Sequence, residues 1–117
     1  MSRQLELNAD DARAHYMLAG MLARLGQREA GKTHVEAALR LRPDEYATFY
    51  NAACYYSLSG DVERAIDLLE RACELGGGSR DLFEHDSDLK PLRSNPRFQR
   101  ILAQLTGSGM RGADNTG

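Results

Sequence analysis

A shift of 34 residues lays this sequence onto itself. Under that shift Tyr16 meets Tyr50, Ala19 meets Ala53, Gly26 meets Gly60, Glu29 meets Glu63, Glu36 meets Glu70, Ala38 meets Ala72 and Leu41 meets Leu75. Seven identities at one ungapped offset mark a tandem repeat. A period of this length is one supersecondary unit that cannot bury its apolar face alone and must stack on its neighbour.

The period inside each unit is helical. Residues 12–25 and 28–42, and again 46–58 and 62–75, place apolar or small side chains at spacings of three and four. Gly26 and Gly60 stand where the first helix of each pair must end in a left-handed residue. Asp61 is a good N-cap for a helix beginning at Val62, and Glu63 suits its first turn. Ala19, Ala53, Ala38 and Ala72 let neighbouring helices approach closely. The stretch Tyr46 to Gly60 carries no charge but does carry Thr48, Asn51, Ser57 and Ser59, so it reads as a buried helix rather than a membrane span.

These residues resemble the tetratricopeptide repeat family, whose pattern is W-x2-L-G-x2-Y, then A-x3-F, then P. In the first repeat His15, Leu18, Ala19 and Leu22 fill the opening pattern, followed by Gly31, Val35, Ala38 and Pro43. In the second, Phe49, Ala52, Ala53 and Tyr56 are followed by Ala65, Leu69 and Ala72. The departures are the missing Trp, Gly31 where Ala is usual, and Gly77 where a closing Pro would stand. The resemblance implies an all-α fold, a short right-handed α-solenoid of helical hairpins, with repeats at 12–45 and 46–78.

The flanks extend the pattern. Leu5 and Leu7 stand 34 residues before Leu39 and Leu41, and Asp10 stands 34 before Asp44, so residues 1–11 read as the remnant of a preceding repeat in a longer parent chain. After the glycines at 76–78, a short helix is expected from about Arg80 to Glu84, with Leu82 and Phe83 turned to the solenoid. Asn95 followed by Pro96 opens a last helix in the favoured cap-and-first-position order. Its Phe98, Ile101, Leu102 and Leu105 form a stripe that can close the stack, making 79–105 a C-terminal cap. The run HDSDLKPLRSNPRF resembles the block ending such arrays in bacterial multidomain signalling proteins. Residues 106–117 hold four Gly and one large apolar side chain, Met110, and are expected to be a disordered tail.

Charge narrows the partners. Fifteen Lys and Arg against seventeen Asp and Glu, a net charge of −2, lack the clustered basic surplus that phosphate backbones demand, so nucleic acid is not expected. The two cysteines, Cys54 and Cys73, fit two buried free thiols in a reducing, cytoplasmic setting better than a disulfide scaffold. The N-terminal residues have no apolar core of a signal peptide, and no run is long enough to span a membrane.

Chemistry-bearing clusters are few. Glu84, His85, Asp86 and Asp88 suit a turn with helix caps better than a metal site. His15 takes the position of the family's packed Trp and reads as a core residue, while His34 reads as solvent-facing. Gly76 to Arg80 lacks the Lys and spacing of a phosphate loop, and no base stands near Cys54 in sequence. No catalytic residue, cofactor or metal is therefore expected.

The resemblance places the binding surface on the first helix of each hairpin, which lines the concave face in this family. Matched residue by residue, that face holds Arg13, Tyr16, Met17, Gly20 and Arg24, then Tyr50, Asn51, Cys54 and Ser57. Tyr16 and Tyr50 are equivalent and would form a two-tyrosine ladder, with Asn51 free to bond a peptide backbone; packing between helices explains both tyrosines equally well. The clamp that holds C-terminal carboxylates in chaperone-binding relatives is matched by Asn51 alone, since Tyr16 and Gly20 stand where Lys and Asn belong. The expected function is a protein-interaction module for a peptide or protein, monomeric or weakly self-associating. The alternative is an end-cap or self-association module of a larger bacterial protein.

Overall fold

The computed structural model describes residues 11–109, with side chains through Leu105. Six α-helices and a 3₁₀ segment follow in order: α1 Ala12–Arg24, α2 Arg28–Leu41, α3 Tyr46–Ser59, α4 Val62–Glu74, α5 Arg80–His85, the 3₁₀ segment Ser87–Leu92, and α6 Pro96–Gly109. No strand occurs among the described residues. α1 pairs with α2 and α3 with α4, and α3 also packs on α1 and α2, so the two hairpins stack as the repeat requires.

Local chemistry sets the helix ends. The Asp11 side chain accepts from the Ala14 amide and Asp61 from the Arg64 amide, each filling one of the orphan donors of a first turn. Gly26 and Gly60 close α1 and α3 at φ 81° and 93°, where a side chain would be strained. Asn95 accepts from the Arg97 amide at 2.8 Å with Pro96 in the first helical position, as the sequence predicts.

The core explains one departure from the repeat pattern. Ala19, Ala38, Ala53 and Ala72 are fully buried at the helix crossings. Gly31 faces the Tyr55 ring, and a β-carbon there would lie 2.7 Å from it. The Tyr55 hydroxyl passes over that gap to donate to the Arg28 carbonyl at 2.6 Å. A large residue on α3 thus occupies the volume that alanine usually fills on α2.

The last third folds back over the second hairpin. Phe83, Leu89, Leu92 and Phe98 are fully buried, and Ile101, Leu102 and Leu105 nearly so. Leu82 does not join them, being 43% exposed, because the single turn of α5 can bury only one side and Phe83 takes it. Arg97 fixes α6 to α4 by reaching Glu63, Asp67 and Glu70 at 2.8–2.9 Å. These acids hold its guanidinium further above its already high range.

α6 continues to Gly109, four residues into the segment expected as a disordered tail, and the remainder of that segment lies outside the described residues. So does nearly all of the expected N-terminal repeat remnant, residues 1–11.

A filled and an open half of the concave face

The nine residues expected on the concave face fall into two groups. On α3, Tyr50, Cys54 and Ser57 are buried, at 9%, 6% and 1% exposure. The cap covers them. Tyr50 stacks between Tyr46 and Phe83, with ring centroids 5.9 and 5.5 Å away, and its hydroxyl donates to the Asp86 carboxylate. Ser57 donates to the Asp88 carbonyl at 2.6 Å, and the Cys54 sulfur lies 4.0 Å from Asp86. The expectation of an open groove over these three residues is therefore corrected: the chain's own segment 83–88 lies on them. Their polar atoms are satisfied by that segment, which is why an uncharged helix carries them.

Asn51 remains half-buried, and its amide donates to the Ala47 carbonyl one turn back at 2.8 Å rather than pointing free into a groove. Tyr50 takes its ring neighbours from α3 and α5, so the ladder with Tyr16 gives way to a stack with Phe83.

The α1 half stays open. Arg13 and Met17 are exposed, Met17 to 52%, while Tyr16 and Gly20 are half-buried. Met21 and Leu25 are exposed to 56% and 68%. The Arg24 guanidinium folds over Gly20, whose missing β-carbon would lie 3.5 Å from it, and pairs with Asp88 at 2.7 Å. This ion pair ties the end of α1 to the cap and marks the boundary between the filled and open halves. Arg24 is 54% exposed, so the pair positions the segment more than it stabilises it.

The acidic turn works as the sequence suggests. Asp86 accepts from the Asp88 amide to cap the 3₁₀ segment, and its own carbonyl accepts from Arg93. Cys54, Asp86 and Asp88 bring ligand atoms within 4.8 Å of one another, but the carboxylates already serve Tyr50 and Arg24. Burial, with Asp86 and Asp88 beside it, pushes the Cys54 thiol well up, the opposite of what a nucleophile needs. Burial likewise holds the Tyr50 phenol in its protonated, donating form.

Two further expectations change. His34 is half-buried rather than free in solvent: its ring stacks on His15 at 5.2 Å, with the Nδ1 atoms 3.0 Å apart. Cys73 is free but only partly buried, at the rim of α4 beside α6, whereas Cys54 is buried as expected.

The sequence profile described as "Tetratricopeptide repeat" matches residues 12–45 and 46–75, more than half of the chain and the same two hairpins that the structure stacks. The chain belongs to the tetratricopeptide repeat family. Among curated relatives, it is 31% identical over 109 residues to the mouse interferon-induced protein with tetratricopeptide repeats 3, covering 93% of this chain and 25% of that protein. It is 34% identical over 74 residues to the human protein IFIT1 homolog B, covering 63% of this chain and 16% of that one. The chain thus spans a quarter or less of these tetratricopeptide relatives. No solved structure matches it. No helix among the described residues is long and apolar enough to cross a membrane.

Proposed function

We propose that this tetratricopeptide chain is a non-catalytic interaction module that holds a segment of a partner protein on the α1 half of its concave face. The supporting observation is the division of that face. The cap fills the α3 half, while α1 keeps Arg13, Tyr16, Met17 and Met21 at the surface. Methionine and tyrosine together offer adaptable apolar area with one polar handle, a combination suited to binding a peptide. The cap is not a casual cover. Four fully buried apolar side chains, each contributing roughly 1.5–3 kcal/mol, hold it in place, so a partner meets α1 rather than α3.

The test is site-specific photo-crosslinking in extract from the source cell, with the probe at Met17 or, as control, at Lys32 on α2. The proposal requires a partner peptide joined to position 17 and absent from position 32. A partner captured only from position 32 would move the site to the outer surface.

A second reading is favoured by the way residues 79–105 close the last hairpin. The chain would then terminate the stack of a larger protein, as the likeness of its last block to bacterial end-of-array segments suggests, and self-associate through the apolar edge at Met21 and Leu25. Light scattering across a hundredfold concentration range separates the two, because only this reading needs a mass above the monomer.

A further inference from the structure

The filled half of the concave face shows how this scaffold grips a segment, and the open half carries an equivalent of its central residue. On α3 the grip has two parts: Phe83 stacks on the Tyr50 ring at 5.5 Å, and Asp86, three residues on, accepts from the Tyr50 hydroxyl. Tyr16 stands at the same place in the first repeat, 34 residues earlier. Its surroundings on α1 are smaller than those of Tyr50. Ala12, Gly20 and Ala23 replace Tyr46, Cys54 and Ser57 at the positions four before, four after and seven after. Ala12 and Ala23 are themselves buried, so the space beside Tyr16 lies at half-buried Gly20, where an added β-carbon would meet only the Arg24 guanidinium within 4 Å.

Charge agrees with the shape. α1 has the sequence ARAHYMLAGMLAR, with two arginines and no acid. Arg13 has no ion pair among the described residues, and it lies three positions before Tyr16, on the same side of the helix. The surface is also continuous with the filled half, because Arg24 over Gly20 already receives Asp88 of the cap.

We propose that the α1 groove takes a short helical acidic segment of a partner protein in which an aromatic residue precedes an aspartate or glutamate by three positions, as Phe83 at the end of α5 precedes Asp86. The ring seats on Tyr16 beside Gly20, and the carboxylate accepts from the Tyr16 hydroxyl beside Arg13. The segment binds as a continuation of the cap, its acidic side toward Arg13 and its apolar side on Met17. This inference rests on the proposed interaction role and adds the chemistry of the partner.

The chain supplies its own probe. A synthetic peptide of residues 79–93, SRDLFEHDSDLKPLR, is titrated into the full chain while amide shifts are followed by NMR. The expected result is saturable shifts confined to α1 around Arg13, Tyr16 and Gly20, with the α3 and cap signals unmoved. Changing Phe83 to Ala or Asp86 to Asn in the peptide, or Tyr16→Phe in the protein, should each weaken binding by about three- to tenfold. Tyr16→Phe keeps the ring, so folding is not at stake. Raising salt from 50 to 500 mM should weaken binding further, as exposed charge pairs require. No saturable shift, shifts centred on α3 with the cap displaced, or indifference to both peptide changes would each overturn the inference. A partner cross-linked at Met17 yet lacking this aromatic–acid pair would also overturn it while leaving the interaction role standing. Failure of the crosslink itself strikes the interaction role.

Discussion

Tyr50 donates to the carboxylate of Asp86 across 36 residues of chain, and with the Ser57–Asp88 bond this contact joins the second repeat to the segment that covers it. Removing only the hydroxyl leaves a partly buried carboxylate without one of its donors. Tyr50→Phe is therefore expected to cost about 1.5–3 kcal/mol, the range for bonds to charged groups, while the ring stack on Phe83 survives. A urea midpoint equal to that of the wild type would show that the bond contributes nothing. The same contact predicts that the Tyr50 phenol does not ionise near the ordinary value of 10.0, because burial and the donated proton both raise it. An ultraviolet pH titration should show one tyrosine fewer titrating in Tyr50→Phe only at the most alkaline end.

This contact also marks where the sequence stops being informative. Helix ends and the repeat period are local patterns, so Gly26, Gly60, Asp61 and the Asn95–Pro96 pair could be placed from sequence alone. The cap over α3 depends on contacts between Ser57 and Asp88, 31 residues apart, and between Arg24 and Asp88, 64 apart, which no periodicity encodes. One signal was present. A helix from Tyr46 to Ser59 without a charge on any side must be covered on every side, including the concave one, and the aromatic and acidic residues just after the repeats are what could cover it. His34 was unreadable for a related reason: its spacing on α2 fits a polar face, and only the crossing with α1 brings it to His15.

Gly77 stands where the repeat pattern expects a closing proline, and Tyr46 gives the reason. A β-carbon at Gly77 would fall 2.0 Å from the Tyr46 ring. Gly77→Ala should thus force the ring aside at a cost of about 1–3 kcal/mol, typical of overpacking. Tyr46→Ala combined with Gly77→Ala should lose little beyond Tyr46→Ala alone, because the clash is then gone. Thermal melts of the three variants measure the coupling, and fully additive losses would place the ring elsewhere.

Phe98 is the fully buried centre of the α6 stripe that closes the stack. Phe98→Ala should cost about 3–5 kcal/mol if the neighbours do not collapse into the void. Arg97→Met, which removes the exposed ion pairs to α4 but keeps the stem, should cost far less, about 1 kcal/mol, and its effect should fade in high salt. Chemical denaturation of both variants at low and high salt ranks the two. Equal losses would mean that α6 is held by its charges rather than by its apolar stripe.

The stacked pair of His15 and His34 makes the first hairpin sensitive to acid. With the Nδ1 atoms 3.0 Å apart, one ring donates and the other accepts, which requires at least one neutral imidazole. Burial, and secondly the neighbouring His15, lower the pKa of His34 below the ordinary 6.5. The folded chain therefore binds fewer protons than the unfolded one in the range just below that value, and stability must fall as pH falls. Full stability is expected above about pH 6.5, with a progressive loss beneath it as the unfolded chain takes up the proton that the folded one resists. The melting temperature should accordingly drop between pH 7 and pH 5.5, and His34→Gln, which keeps polarity without a titrating ring, should flatten that drop. The comparison between the two proteins isolates the His34 contribution. An identical pH profile for wild type and His34→Gln would show that the pair carries no linkage and that its closeness is packing alone.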